Sequence, residues 1–142
     1  MPEIDKEFIR EKIKLAGDYL DEIKEFLKTD DKAIYSDLKS RYSLERVFLL
    51  LAEELIDINN YFVKTLELKP IEDLKSSFLA LGEVNILPLD FAQKISPLVG
   101  VRNILVHQYE KLDFNLFLKN LRTNLGDFEV YFRHILTYIE KS

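Results

Sequence analysis

Apolar residues recur along this chain at the spacing of one helix face, with Ile4, Phe8, Leu15, Tyr19, Ile23, Phe26 and Leu27 falling three, four or seven positions apart. The pattern predicts a first amphipathic helix from about Ile4 to Lys28, its outer face made of Lys and Glu. The polar stretch TDDK at 29–32 reads as a link. A second helical region has its regular part starting near Ser43, a candidate N-cap followed by ERVFLLLAEELIDINNYFVKTLE. This segment is apolar around well over half its circumference, which predicts a helix at the centre of a bundle, touching several neighbours.

Pro70 is placed to open a shorter element, IEDLKSSFLALG, and Gly82 to end it, since proline suits a first helical turn and glycine the position past the last. Pro88 and Asp90 can start LDFAQKI. Ser96 and Pro97 then resemble an N-cap and first-turn pair that restarts a helix carrying VGVRNILVH. Asp113 caps a last amphipathic helix, FNLFLKNLRTNLGDFEVYFRHILTYIE, with Gly126 inside it at a cost of about 1 kcal/mol relative to alanine. No internal repeat or low-complexity segment interrupts the pattern. The expected architecture is all-α, an up-and-down bundle of four to five helices forming one domain over residues 1–142.

Composition agrees with one helical core: the 142 residues are 47% hydrophobic and 32% charged, and contain only four glycines and four prolines for turns. A chain of this length fits one domain, burying about two-thirds of its unfolded surface. The absence of cysteine excludes a disulfide framework and thiol catalysis. The longest apolar run, Val47 to Ala52, is too short to span a bilayer, and MPEIDKEFIREK lacks the apolar centre of a secretory signal. A cytoplasmic protein without a membrane partner is expected. A net charge of −5 gives no global attraction to nucleic acid, so RNA binding would need a local basic patch.

The chemistry concentrates in VRNILVHQY, where Arg102, Asn103, His107 and Tyr109 interrupt an apolar run. Arg102 and His107 are five positions apart and so point about 140° away from each other on an unbroken helix. Either the helix ends near His107, letting it and Tyr109 turn back, or two copies of the chain combine their residues in a shared site. No metal-spaced histidine pair exists, since His134 is distant and lies among Phe132, Ile135 and Leu136; the expectation is chemistry without metal or cofactor. An arginine fork can hold a phosphate, and a histidine can take the proton of a neighbouring ribose 2′-hydroxyl, breaking RNA to leave a cyclic phosphate. On residue chemistry alone, compensation of a helix-end dipole is the commoner role for such a pair.

These residues nonetheless resemble a known family. Arg102, Asn103, His107 and Tyr109 match the R-x(4)-H-x-Y signature of the HepT toxins of the HEPN superfamily, in its RN-x-x-VH-x-Y form. Glu45, Arg46, Glu53 and Asp57 in LERVFLLLAEELIDI are similar to that family's second-helix pattern, and ILPLDFAQKISPLVGVRNILVHQYEKLD to its approach to and exit from the motif. The resemblance spans about residues 35 to 137. It implies an all-helical homodimer with both motifs facing a cleft between subunits, acting as a metal-independent endoribonuclease toxin with Arg102 and His107 catalytic. It further implies a minimal nucleotidyltransferase antitoxin that silences the toxin by transferring AMP to Tyr109.

Arg46, Glu53, Asp57 and Asn60 share one stripe, the last three within about 40° of the direction of Arg46, on a helix otherwise largely apolar. Such a stripe either lines the cleft, with Glu53 or Asp57 orienting Arg102 or His107, or is a solvated face with ordinary ion pairs. Two function classes stay open: a ribonuclease, or a catalytically silent HEPN nucleotide-binding or protein-interaction module.

Overall fold

The computed structural model describes residues 3–69 and 72–142, so the expected helix start at Pro70 lies outside the described residues. Among these residues the chain forms eight α-helices and no strand. They are α1 (Lys6–Phe26), α2 (Asp31–Ser36), α3 (Leu38–Thr65), α4 (Lys75–Glu83), α5 (Leu89–Ile95), α6 (Leu98–His107), α7 (Phe114–Asn124) and α8 (Gly126–Glu140), with a 3-10 turn at Tyr109–Lys111. The all-helical expectation holds, but the helices are more numerous than four or five. None is long and apolar enough to cross a membrane.

The extra elements have local causes. Asp30 accepts a hydrogen bond from the Ala33 amide at 2.8 Å and so starts α2 inside the stretch expected to be a link. Asp37, not Ser43, caps α3: its carboxylate accepts from the Lys39 amide at 3.2 Å and the Ser40 hydroxyl at 2.8 Å, leaving Ser43 in the helix interior. Ser96 does not cap α6 either. Its hydroxyl donates backward to the Gln93 carbonyl at 3.2 Å, and helical angles at Ser96 and Pro97 make the restart a tight turn. Asp113 does cap α7, accepting from the Leu116 amide at 3.1 Å, but the long last helix is interrupted at Leu125 and Gly126 opens α8.

Packing is organised around α3. The buried residues of α1, Ile9, Ile13, Ala16, Leu20 and Ile23, are spaced alternately by four and three, the seam of a coiled-coil pair, and they lie against α3. That seam is rotated from the predicted stripe; Leu15 is 40% exposed. As its all-round apolar pattern predicted, α3 meets α1, α2, α4 and α6. Gly82 sits within α4 and does not end it. A methyl group there would come within 2.8 Å of the Ala92 Cβ, so glycine is what lets α4 lie directly on α5. The stop is Asn85, in the left-handed region at φ 63°, where the Ile86 amide bonds back to the Leu81 carbonyl at 3.0 Å and the Asn85 amide to that of Gly82 at 3.3 Å.

One polar chain crosses the core. The fully buried Tyr131 hydroxyl donates to Asn59 Oδ1 at 2.6 Å, the Asn59 amide donates to Ser77 Oγ at 3.2 Å, and Ser77 donates to the Leu74 carbonyl at 2.7 Å. This links α8, α3 and the start of α4 with every step satisfied. Tyr131→Phe leaves the buried Asn59 oxygen without its donor and should cost about 1–3 kcal/mol, read as a lower urea midpoint with unchanged slope. An unchanged midpoint would show that the chain contributes nothing to stability.

Candidate active site

The motif is carried by α6 and the turn that follows it. Pro97 precedes the first turn of α6, Arg102 lies at its middle, and His107 is its last residue. Gln108 then leaves the helix at φ −140°, ψ 42°, and the 3-10 turn swings Tyr109 back toward α3. The first of the two geometric escapes is thus realised for Tyr109: the helix ends at His107 and the tyrosine returns.

Two carboxylates of α3 receive the motif. Glu53 Oε1 accepts from Arg102 Nε at 2.6 Å, while Arg102 Nη1 donates to Asn103 Oδ1 at 3.0 Å. A guanidinium has five N–H donors, so this bracing fixes its plane and leaves donors for a further anion. Two turns earlier on α3, Glu45 Oε1 accepts from the Tyr109 hydroxyl at 2.6 Å. Asp57, weighed beside Glu53 as a brace for the motif, instead pairs with Lys12 of α1 at 3.1 Å, as does Glu54. Burial pulls the Lys12 pKa down, but its bonds to Asp57 and Glu54 outweigh this and leave it above the ordinary 10.5. Arg46 is exposed, with no hydrogen bond or ion pair among the described residues. His107 is likewise exposed at the helix end.

Glu45 is the residue whose role sequence reasoning missed. Glu45 as a whole is only 5% exposed, and its second carboxylate oxygen, Oε2, is buried with no partner among the described residues. Burial pushes its pKa above the ordinary 4.5, against the lowering influence of the Tyr109 bond and of the Arg41 charge. Arg41, one turn earlier, is clamped between the rings of Tyr35 and Phe114, 4.8 and 5.0 Å from their centres. Tyr109 keeps 42% of its surface exposed, yet burial around its hydroxyl and then the neighbouring Glu45 push its pKa up to about 12. A signal was present in the sequence: Glu45 falls three and seven positions before the buried Phe48 and Ala52, a carboxylate on an apolar stripe.

Arg102 and Tyr109, each held by a carboxylate of the central helix, flank the exposed His107 that ends α6 in this all-α fold. The chain belongs to the Ribonuclease HepT-like family, whose pattern matches residues 16–135. It is 30% identical over 139 residues to the tRNA nuclease HepT of Aphanizomenon flos-aquae (strain 2012/KM1/D3), covering 98% of this chain and 95% of that one. It is 27% identical over 100 residues to the mRNA nuclease HepT of Shewanella oneidensis, covering 68% and 75% of the two chains. The fold matches that of a tri-AMPylated Shewanella oneidensis HEPN toxin solved in complex with an MNT antitoxin, with a TM-score of 0.81, 24% identity, and 89% and 95% of the chains covered.

The raised Glu45 pKa has a definite sign for stability. Between the unfolded and folded pKa values the unfolded chain ionises Glu45 more readily, so the folded state loses stability as pH rises through this window and retains the deficit above it. Glu45→Gln deletes the buried charge. It should raise the melting temperature at pH 7, by about 3 °C if the gain is about 1 kcal/mol, and the gain should fade toward pH 4. A drop in melting temperature at pH 7 would show that the ionised carboxylate stabilises the fold.

Proposed function

We propose that this chain is the toxin of a toxin–antitoxin pair, an endoribonuclease that cleaves RNA without metal and is silenced by AMP transfer to Tyr109. The observation that carries the reading is Arg102, held in plane by Glu53 and Asn103 with donors to spare, on the same helix whose exposed last residue is His107. Arg102 would hold the phosphate. His107 would take the 2′-hydroxyl proton; the 2′-oxygen then attacks the adjacent phosphorus, the bond to the 5′-oxygen breaks, and a cyclic phosphate is left as the 5′-oxygen takes up a proton. The participants are side chains and RNA itself, and among the described residues no group of three or more metal-binding side chains converges. The two nuclease relatives support the reaction class.

The site is completed in a homodimer. Although α6 is largely apolar, Val99 is its only fully buried residue among those described; Val101, Ile104 and Leu105 are half-buried and Val106 is 43% exposed. Arg102 and His107 also diverge by about 140° on their helix, so a second α6 packed against this face brings one copy's arginine toward the other's histidine. The antitoxin partner of this reading is a minimal nucleotidyltransferase, supported by the complex of the Shewanella toxin with its MNT antitoxin. AMP groups on Tyr109, two residues past His107, add charge and bulk at the mouth of the cleft.

Arg102→Ala and His107→Ala should each lower RNA cleavage in chelator by about 10²-fold or more. Undiminished cleavage by either variant would sink the assignment, and binding of RNA or partner that survives loss of His107 without cleavage in the wild type would favour the silent-module reading. Val106→Glu should shift the protein from dimer to monomer in light scattering and reduce cleavage with it. A dimer that persists with full activity would place the interface elsewhere.

A further inference from the structure

We propose that Glu45 is the general base for modification of Tyr109, so that the modified chain itself supplies the group that accepts the phenolic proton. The inference rests on the reading of Tyr109 as the site of AMP transfer. Its geometric basis is the bond from the Tyr109 hydroxyl to Glu45 Oε1 at 2.6 Å, made across 64 residues of chain to a residue that is 5% exposed. Nothing in the packing of α3 requires a carboxylate there. The unpartnered Oε2 shows that the site leaves half of the group's hydrogen-bonding capacity unused.

The chemistry needs such a group. With its pKa pushed up to about 12, Tyr109 would be ionised in roughly one molecule in 10⁵ at pH 7, so transfer through free phenolate would be slow. In the proposed step the Tyr109 oxygen attacks the α-phosphorus of ATP as its proton passes to Glu45 Oε1. The new oxygen–phosphorus bond forms, the bond from the α-phosphorus to the bridging oxygen breaks, and pyrophosphate leaves with the electron pair. Burial raises the proton affinity of Glu45 and thereby narrows its gap to the phenol. The charged and titratable groups acting on the pair are Arg41 and Tyr42 of α3; α2 and α7 contribute the rings of Tyr35 and Phe114 that clamp Arg41. Arg41 favours the ionised carboxylate, the form able to receive the proton.

Transfer also has a structural product. Once Tyr109 carries AMP it has no hydroxyl hydrogen, and the tie between the 3-10 turn and α3 is cut. Any later addition uses a nucleophile other than the Tyr109 oxygen, so the Glu45 requirement applies to the first transfer alone.

The test is the rate of the first AMP-sized mass increment when the protein is mixed with a minimal nucleotidyltransferase of the antitoxin class, ATP and magnesium. Glu45→Gln, which keeps the shape and can still accept the phenolic hydrogen bond, should slow that increment by about 10²-fold or more at pH 7. The variant's rate should climb nearly tenfold per pH unit toward pH 9, while the wild-type rate stays flatter; Glu45→Asp should recover part of the loss. A melting temperature at or above that of the wild type excludes misfolding as the cause. Labelling confined to Tyr109 and equally fast in Glu45→Gln, or slowed with a pH profile parallel to the wild type, would overturn the role of Glu45 alone. Labelling that persists in Tyr109→Phe would overturn this proposal together with the reading of Tyr109 as the acceptor.

Discussion

The architecture depends on one helix being long, buried and straight enough to act as a rack. At 28 residues α3 is about 42 Å long, and α1, α2, α4 and α6 all rest on it. Glu45 and Glu53, eight residues apart, stand about 12 Å apart along its axis, and they receive Tyr109 and Arg102 respectively. The carboxylates therefore tie both ends of the motif segment to one helix, alongside the packing of α6 on α3. A change in the tilt of α3 would move both ends of the motif together.

Electrostatics around this rack divide by depth. Toward α1, Lys12 pairs with both Glu54 and Asp57 in a partly exposed cluster, of the kind that adds little net stability. Toward the motif, Glu53 is matched by a guanidinium. Glu45 alone faces a neutral donor inside the protein, with its compensating charge, Arg41, held off by two aromatic rings. A buried carboxylate so incompletely paired lowers stability.

Features governed by the nearest few residues were legible in the sequence. The apolar circumference of α3 marked it as central, Asp113 was recognisable as a cap, and Pro88 marked the start of α5. Where capping residues crowd together, the sequence was ambiguous: Asp37 caps α3 in place of Ser43 because its carboxylate reaches the Lys39 amide, and Asp30 starts a helix inside the expected link by reaching the Ala33 amide. The α1 seam was displaced because both Ile9-to-Ile23 and Ile4-to-Leu27 have helical spacing, and only the position of α3 selects between them. At the site, the motif residues were legible as chemistry but their partners were not. Glu53 meets Arg102, while Asp57 is taken by Lys12, a residue of α1 that enters from 45 positions away.

The distances along the chain between the bracing residues and the motif also set an order of assembly during synthesis. The α1–α3 pair involves only the first half of the chain and can pack while the rest is being made. Glu53 must wait 49 residues for Arg102, and Glu45 must wait 64 for Tyr109. At about 5–20 residues per second of translation, that is a lag of about 3–13 s for Tyr109. During this interval the scaffold of α1 to α5 can exist without the motif, so a chain released before residue 102 carries those helices with two unmatched carboxylates, and only α7 and α8 remain to follow once the motif is delivered.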